Sequence, residues 1–450
     1  MKPQTILIKG GRVIDPSRSH DSVADALLKD GVVVAVRRNI AMPDGARIVE
    51  AKGLVVCPGF VDLHCHLREP GYEDKETIAT GTRAAAKGGF TTVCAMPNTR
   101  PLGDSPATVE YVLRKAREEG TVRVLPIGCV TKGSMGQELA EMGELAQAGV
   151  IGFSDDGRPV NDANLMRQAL SYSSAFRLPI INHCQVDELF QGGVMNEGWV
   201  ATRLGLRGVP NSSEEAMVAR DISLAALTGG RVHLAHVSTA GTVELVRRAK
   251  EQGVPVTCEA TPHHLTLTEE AALGRNGGGR FDPLTPQGYN TYAKVNPPLR
   301  SQADVDAVVE GLRDGTIDVV ATDHAPHNTV DKQCTFAEAA FGISGLETAL
   351  GSLLSLAHSG RMPLLRLVEA MTAAPARFLK RDDLGTLAKG AAGDVVVFDP
   401  DAEWKVDARQ FVSKGKNTPL DGTTLRGRVV ATIYGGQVVY EQAGGGPKTR

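Results

Sequence analysis

His64 and His66 stand one residue apart at the end of an apolar run, Pro58-Gly59-Phe60-Val61-Asp62-Leu63. On a β-strand the period of two sends both imidazoles to one face and Cys65 to the other. Neutral imidazole nitrogen suits zinc and similar borderline ions, so the pair reads as half of a metal site. Two unrelated polar residues at a strand edge would look the same, so the other ligands must come from elsewhere. Asn98, Asp155-Asp156, His183, His236 and Asp323 each follow another apolar run. Such groups are costly to bury without partners, and their repeated placement at one kind of position points to a shared centre. Only one of the adjacent Asp155 and Asp156 can turn inward if its strand persists; the other is expected to cap the loop. His233, three residues before His236, is expected on the opposite face, as a satisfied histidine between strand and helix. His263 and His264 follow a further run and are candidates for touching the centre.

The runs that must position these residues are Leu54–Leu63, Thr91–Met96, Arg123–Val130, Val150–Ser154, Pro179–Asn182, Arg231–Val237, Pro255–Ala260 and Asp318–Thr322. They alternate with helix-like segments, the pattern of a parallel α/β fold. Eight such repeats predict a (β/α)8 TIM-like barrel over 58–380, whose site lies where the strands end. An open doubly wound sheet is the alternative, but no GlyXGlyXXGly fingerprint follows the first run. The longest insertion, 266–317, carries Asn276-Gly277-Gly278-Gly279 and is expected to be a surface excursion. Residues 1–57 and 381–450 differ in texture, with short strands and Gly turns, and neither end has enough strands to bury two faces. Together they predict one small β-sandwich domain built from both chain ends. The Gly444-Gly445-Gly446-Pro447 tail is expected to be disordered.

Composition narrows the partners. The 450 residues carry a net charge of -3, with Lys+Arg 49 against Asp+Glu 52, and 4% aromatic residues. No basic block or stacking surface for nucleic acid is evident, so a small-molecule substrate is expected. Seven cysteines, odd in number and without a CysXXCys pair, suggest neither a disulfide framework nor a thiolate zinc knuckle. The first residues lack a signal-peptide core and no apolar run approaches a membrane span. A cytoplasmic protein is the expectation.

His64-Cys65-His66-Leu67-Arg68-Glu69-Pro70-Gly71, Ala95-Met96-Pro97-Asn98-Thr99, Phe153-Ser154-Asp155-Asp156-Gly157, Asn182-His183-Cys184, Ala235-His236-Val237-Ser238 and Ala321-Thr322-Asp323-His324-Ala325-Pro326-His327 together resemble the dihydroorotases of the amidohydrolase superfamily, in their longer bacterial form. The resemblance implies a cyclic amide hydrolase that closes N-carbamoyl-L-aspartate to L-dihydroorotate, reversibly, in de novo pyrimidine biosynthesis. It implies two zinc ions per subunit. His64, His66 and Asp323 would hold one, His183 and His236 the other, and a strand-four carboxylate would bridge them: Asp156, with Asp155 as the alternative. Many relatives bridge with a carbamylated lysine, but no lysine lies between Lys132 and Lys250. Asp323 is expected to act as general base and then general acid.

Arg68 lies two residues beyond His66, and its guanidinium fork suits a substrate carboxylate; the alternative is a salt bridge to Glu69 or Asp74. The resemblance adds His66, Asn98, Asn296, His327, Phe341 and Gly342 as substrate contacts. The polar segment 327–342 is either a lid over substrate or a static connection. A homodimer is implied, and a complex with aspartate transcarbamoylase is compatible with it. Hydantoinase, dihydropyrimidinase and allantoinase share fold and metals but suit the chain less, given the missing strand-four lysine and Arg68. A catalytically silent scaffold is the rival of another kind; such chains usually lose ligands, and this one keeps them.

Overall fold

The computed structural model describes residues 4–274 and 289–442; Asn276–Gly279 and Gly444–Pro447 lie outside them. Its first strands are β1 (Ile6–Asp15), β2 (His20–Lys29), β3 (Val32–Arg37), β4 (Arg47–Glu50) and β5 (Val55–Pro58). β1 pairs antiparallel with β2 and parallel with β4 and β5, and β2 pairs with β3. The run expected over Leu54–Leu63 is two strands, because β6 (Phe60–Cys65) starts a different sheet. Gly59 makes the break. A Cβ there would sit 2.2 Å from Thr91 Oγ1, so only glycine lets the chain pass this close to its neighbour.

β6, β7 (Phe90–Ala95) and β8 (Arg123–Pro126) form a parallel set. Next come β9 (Ile180–Asn182), the short pair β10 (Met195–Asn196) and β11 (Gly208–Val209), then β12 (Val232–Leu234), β13 (Val256–Ala260) and β14 (Val319–Val320). β9, β12, β13 and β14 are parallel neighbours in that order. The run expected over Val150–Ser154 forms no continuous strand; Phe153 alone bridges to Gly128 and Ile180. Cys65 bridges in parallel to His324, just past β14. Parallel pairing therefore leads from β6 through β7, β8, Phe153, β9, β12, β13 and β14 back to β6.

Val61, Leu63, Cys94, Ile127, Ile181, Ala235, Val319 and Ala321 from these segments meet in one buried cluster. Phe60, Phe90, Val124, Ile180, Val232 and Leu234 belong to a larger cluster with the helices. Helices such as Ile78–Lys87, Ala240–Glu251 and Gln302–Asp314 start at Thr77, Thr239 and Ser301, whose side chains accept a backbone N–H of the first turn, satisfying one otherwise orphaned donor each. The expectation that 266–317 is a surface excursion is corrected here. Val305, Val308, Val309 and Leu312, at helical spacing, bury one face of Gln302–Asp314, and Ala271, Leu273, Ala293, Val295 and Leu299 are buried as well.

β15 (Val395–Lys405), β16 (Thr424–Tyr434) and β17 (Gln437–Glu441) complete the first sheet. β15 pairs antiparallel with β5, setting Val396 opposite Cys57, so the two chain ends do come together. Hydrogen bonding among the described residues runs through one sheet, in the order β17-β16-β15-β5-β1-β2-β3 with β4 on β1. Leu28 and Val33 from one end share a buried cluster with Val395 and Ile433 from the other, so the sheet wraps around its own core. Among the described residues, no helix is long and apolar enough to cross a membrane.

Candidate metal centre

Asp156 stands among four imidazoles where the parallel strands end. Its Oδ1 lies 3.4 Å from His64 Nε2, 3.5 Å from His183 Nδ1 and 3.6 Å from His236 Nε2, and its Oδ2 lies 3.6 Å from His66 Nε2. Asp323 Oδ1 is 3.1 Å from His66 Nε2 and 3.7 Å from His64 Nε2. Two overlapping groups of possible ligands result, His64–His66–Asp156 and Asp156–His183–His236, each with its donor atoms within 4.8 Å of one another. His64 Nε2 and Asp156 Oδ1 are buried and, among the described residues, have no hydrogen-bond partner. Buried polar atoms are rarely left so, and a cation among these nitrogens and carboxylates would satisfy them. The donor set of imidazole and carboxylate fits zinc.

Asp155, the other bridging candidate, is spent on its loop. It accepts from Val130 N at 2.8 Å and Thr131 N at 3.2 Å, and from the Thr131 hydroxyl. Burial opposes ionisation of Asp156, but the His64 charge and the nearby His183 and His236 nitrogens overcome it and hold the carboxyl well below the usual range. Asp323 is likewise held low against burial by the His66 hydrogen bond and the His64, His66 and His236 charges. Both are ready-made anionic ligands.

Three of the strand-end residues sit at a local break in β geometry. His236 and Asp323 have φ of +33° and +44°, and Arg68 has +62°, a region non-glycine residues enter at a cost of about 1–3 kcal/mol and mainly at functional sites. This corrects the expectation for His233. It is satisfied and its ring packs 4.5 Å from that of Phe378, in the helix Ala373–Phe378, but it is also tied to the centre: its Nε2 lies 3.1 Å from Glu259 Oε2, and Glu259 Oε1 accepts from His64 Nδ1 at 2.7 Å. Alternation stops where β12 ends at Leu234, so the His233–His236 spacing says nothing about faces. His264 bonds Thr261 and the Pro297 carbonyl. His263 is buried, its Nε2 has no partner, and burial lowers its pKa to about 4.

Glu259 is the residue sequence reasoning missed. A lone acid inside the apolar run Val256-Thr257-Cys258-Glu259-Ala260 was the available signal. Although fully buried, it is held at about 2 by the His64 charge and by the His233 and His64 hydrogen bonds. It fixes His64 so that Nε2 points at Asp156. Carboxylates in this position usually tune metal affinity 10–100-fold. Glu259→Gln is expected to weaken zinc retention by about that factor, read by competition with a chelating dye; unchanged retention would remove Glu259 from this role.

The residues expected to touch substrate are brought to the same end, several through the histidines. Asn98 Oδ1 accepts from His66 Nδ1 at 3.0 Å, and its amide nitrogen is 3.3 Å from Asp156 Oδ2. The Asn296 amide lies 3.1 Å from His183 Nε2 and 2.8 Å from Gln185 Oε1. Arg68 donates to the Pro326 carbonyl at 3.3 Å and lies 3.4 Å from His327 Nε2. The salt bridges weighed for it do not form: Glu69 accepts from Ile78 and Tyr111, and Asp74 from Asn328. His327 donates from Nε2 to the Phe341 carbonyl at 2.8 Å; burial and the Arg68 charge push its pKa down to about 3, so it is neutral. Gly342 has φ +143°, and a Cβ there would meet the Ala325 carbonyl at 2.7 Å and His327 Cδ2 at 3.0 Å. A side chain at 342 would displace His327.

Lys332 fastens the segment 327–342 to the segment beneath it. Its buried Nζ donates to the carbonyls of Thr291, Lys294 and Ala340 at 3.2, 3.0 and 2.6 Å. Burial and the Lys294 charge lower its pKa from 10.5 to about 7. Between those values the native chain binds fewer protons than the unfolded one, so stability rises with pH across that window. Lys332→Met is expected to abolish that rise. Melting temperatures of both proteins from pH 6.5 to 10 check it, and parallel slopes would refute it.

Comparisons with known proteins place the chain in a family. The family model described as dihydro-orotase-like matches residues 53–242. The dihydroorotase of Anaeromyxobacter dehalogenans (strain 2CP-C) is 52% identical over 97% of this chain and 98% of its own length. That of Geobacter sp. (strain M21) is 51% identical over 97% and 99%. Among solved structures, the L-hydantoinase (dihydropyrimidinase) from Arthrobacter aurescens superposes with a TM-score of 0.85 at 28% identity, covering 97% of this chain and 96% of that one. The dihydropyrimidinase from Brevibacillus agri NCHU1002, with a TM-score of 0.82 at 21% identity over 97% and 95%, shares the fold. The identity to the dihydroorotases over nearly the full length decides between these cyclic amide hydrolases, and the chain belongs to the dihydroorotase family.

Proposed function

We propose that the family activity, reversible closure of N-carbamoyl-L-aspartate to L-dihydroorotate, is carried out here with two zinc ions, which His64, His66, Asp156, His183, His236 and Asp323 would hold, Asp156 being common to both groups of possible ligands. The observation that carries this reading is the partnerless, buried pair His64 Nε2 and Asp156 Oδ1 amid the other imidazoles. Zinc bound in this way activates water and polarises an amide carbonyl. The circuit of parallel pairings supports a closed (β/α)8 barrel over 58–380, and the shared sheet supports a β-sandwich domain from 1–57 and 381–450.

On ring opening, water adds to the ring amide carbon and the carbon–nitrogen bond breaks. Asp323 takes the proton from the attacking water and gives it to the leaving ring nitrogen. On closure the same carboxylate moves the proton back. Closure consumes a proton, so lower pH favours it. Arg68 receives the ring carboxylate in a bidentate contact. Asn98 and Asn296 keep His66 and His183 oriented while facing the substrate, and His327 with the Phe341–Gly342 backbone forms the opposite wall. The homodimer and the complex with aspartate transcarbamoylase rest on family likeness, and the cytoplasmic location on the cysteine pattern of the sequence.

The test is turnover of L-dihydroorotate and N-carbamoyl-L-aspartate by zinc-supplemented protein, with dihydrouracil and allantoin in parallel and a chelator-treated control. Zinc-dependent turnover of the carboxylate substrates alone is expected. Turnover of neutral rings alone would overturn the Arg68 pocket, and turnover surviving complete metal removal would overturn the zinc reading.

A further inference from the structure

A cavity of about 480 Å³ opens at the N-terminal ends of β12, β13 and β14, opposite the metal centre. Arg231, Arg313, Arg366 and Arg377 line it, and His233 and Phe378 are among its other walls. The volume is that of a small-molecule site. Its charge is not balanced from within. Of the lining acids, Asp314 and Asp318 are already paired with Arg247 at 2.8 Å and Lys250 at 2.7 Å. Arg313 is paired with Glu310 at 2.6 Å, and Arg366 also donates to the carbonyls of Leu312 and Ile317, both at 2.7 Å, which leaves Glu369 to answer the charges of both Arg366, at 3.1 Å, and Arg377, at 2.9 Å.

Among the described residues, Arg231 has no carboxylate partner. It donates to the carbonyls of Arg177 and Phe378 at 3.3 and 3.1 Å and stacks 5.4 Å from the Phe378 ring centre. Lys380 feels the surplus: burial, then the Arg231 and Arg177 charges, lower its pKa.

We propose that this cavity is a second ligand site, which takes a small phosphate-bearing anion between Arg231 and the Arg366–Arg377 pair. Guanidinium forks match phosphate oxygens, and an anion of charge -2 or more would offset the uncompensated cations. Its occupant would adjoin His233, which holds Glu259, which holds His64. The site is therefore joined to the metal centre by two hydrogen bonds, although the binding claim stands without the zinc reading.

Titration calorimetry on the full, zinc-loaded chain tests it, with fructose 1,6-bisphosphate and AMP as probes and sodium chloride at matched ionic strength as control. Both are weak zinc chelators, and metal content is measured before and after. Saturable binding with a Kd below about 1 mM is expected for at least one probe, the sugar phosphate or the nucleotide identifying the source. Arg231→Met should weaken it at least tenfold. Because that variant strips two carbonyls of their donor, an Arg313→Gln/Arg377→Gln variant is measured too. Those side chains are 53% and 62% exposed, so folding is not at issue. Equal affinity in the double variant, or binding erased by matched salt, overturns the proposal.

Discussion

Asp323→Asn is expected to lose about 10²–10⁴-fold in turnover in both directions, the usual worth of a positioned acid–base group. The carboxylate is buried beside His66 and held ionised, so at neutral pH it is free to accept a proton; the amide is not. Asparagine tolerates positive φ nearly as well as aspartate, so the +44° turn at this position survives the change. Zinc content separates the two roles proposed for the residue. Loss of turnover with both ions retained identifies the proton carrier. Loss of one ion in step with activity identifies a ligand only. Turnover within tenfold of the parent would remove Asp323 from the chemistry.

Arg68→Ala is expected to cost kcat/KM for L-dihydroorotate about 30- to 5,000-fold, from the roughly 2–5 kcal/mol lost when one member of a desolvated charge pair is truncated. Arg68→Lys should recover only part, because a point charge replaces a fork. Zinc retention should be unchanged, since the guanidinium reaches Pro326 and His327 and contacts none of the proposed ligands. Equal loss of zinc and of turnover would mean that Arg68 maintains the centre instead of reading substrate.

The cluster proposed to hold metal was legible because its residues terminate apolar runs, a position where polar groups and burial conflict. His64 and His66 share a face as alternation requires, even though the β6–β7 register shifts between Asp62 and Cys65. Alternation failed at His233, because a three-residue strand ends before the residue being compared. Glu259 escaped notice because a single buried acid in a strand has no periodic signature; only its contact with His64 reveals it. Lys332 was hidden for a different reason. Its three acceptors are backbone carbonyls from residues up to 41 positions away, and carbonyls leave no mark in a sequence. The helix Gln302–Asp314 was obscured by the glycine run upstream of it, although its apolar spacing was present.

The seam between β5 and β15 also sets a timetable for biogenesis. Val56 pairs with Val397, so the first strands leave the ribosome with an open edge and an uncovered apolar face whose partners have not been translated. At roughly 5–20 residues per second, some 340 residues of delay amount to about 20–70 s. An unpaired edge is a template for the wrong neighbour, so nascent chains stalled before β15 should be chaperone clients and aggregate when released, whereas chains that reach β16 should not.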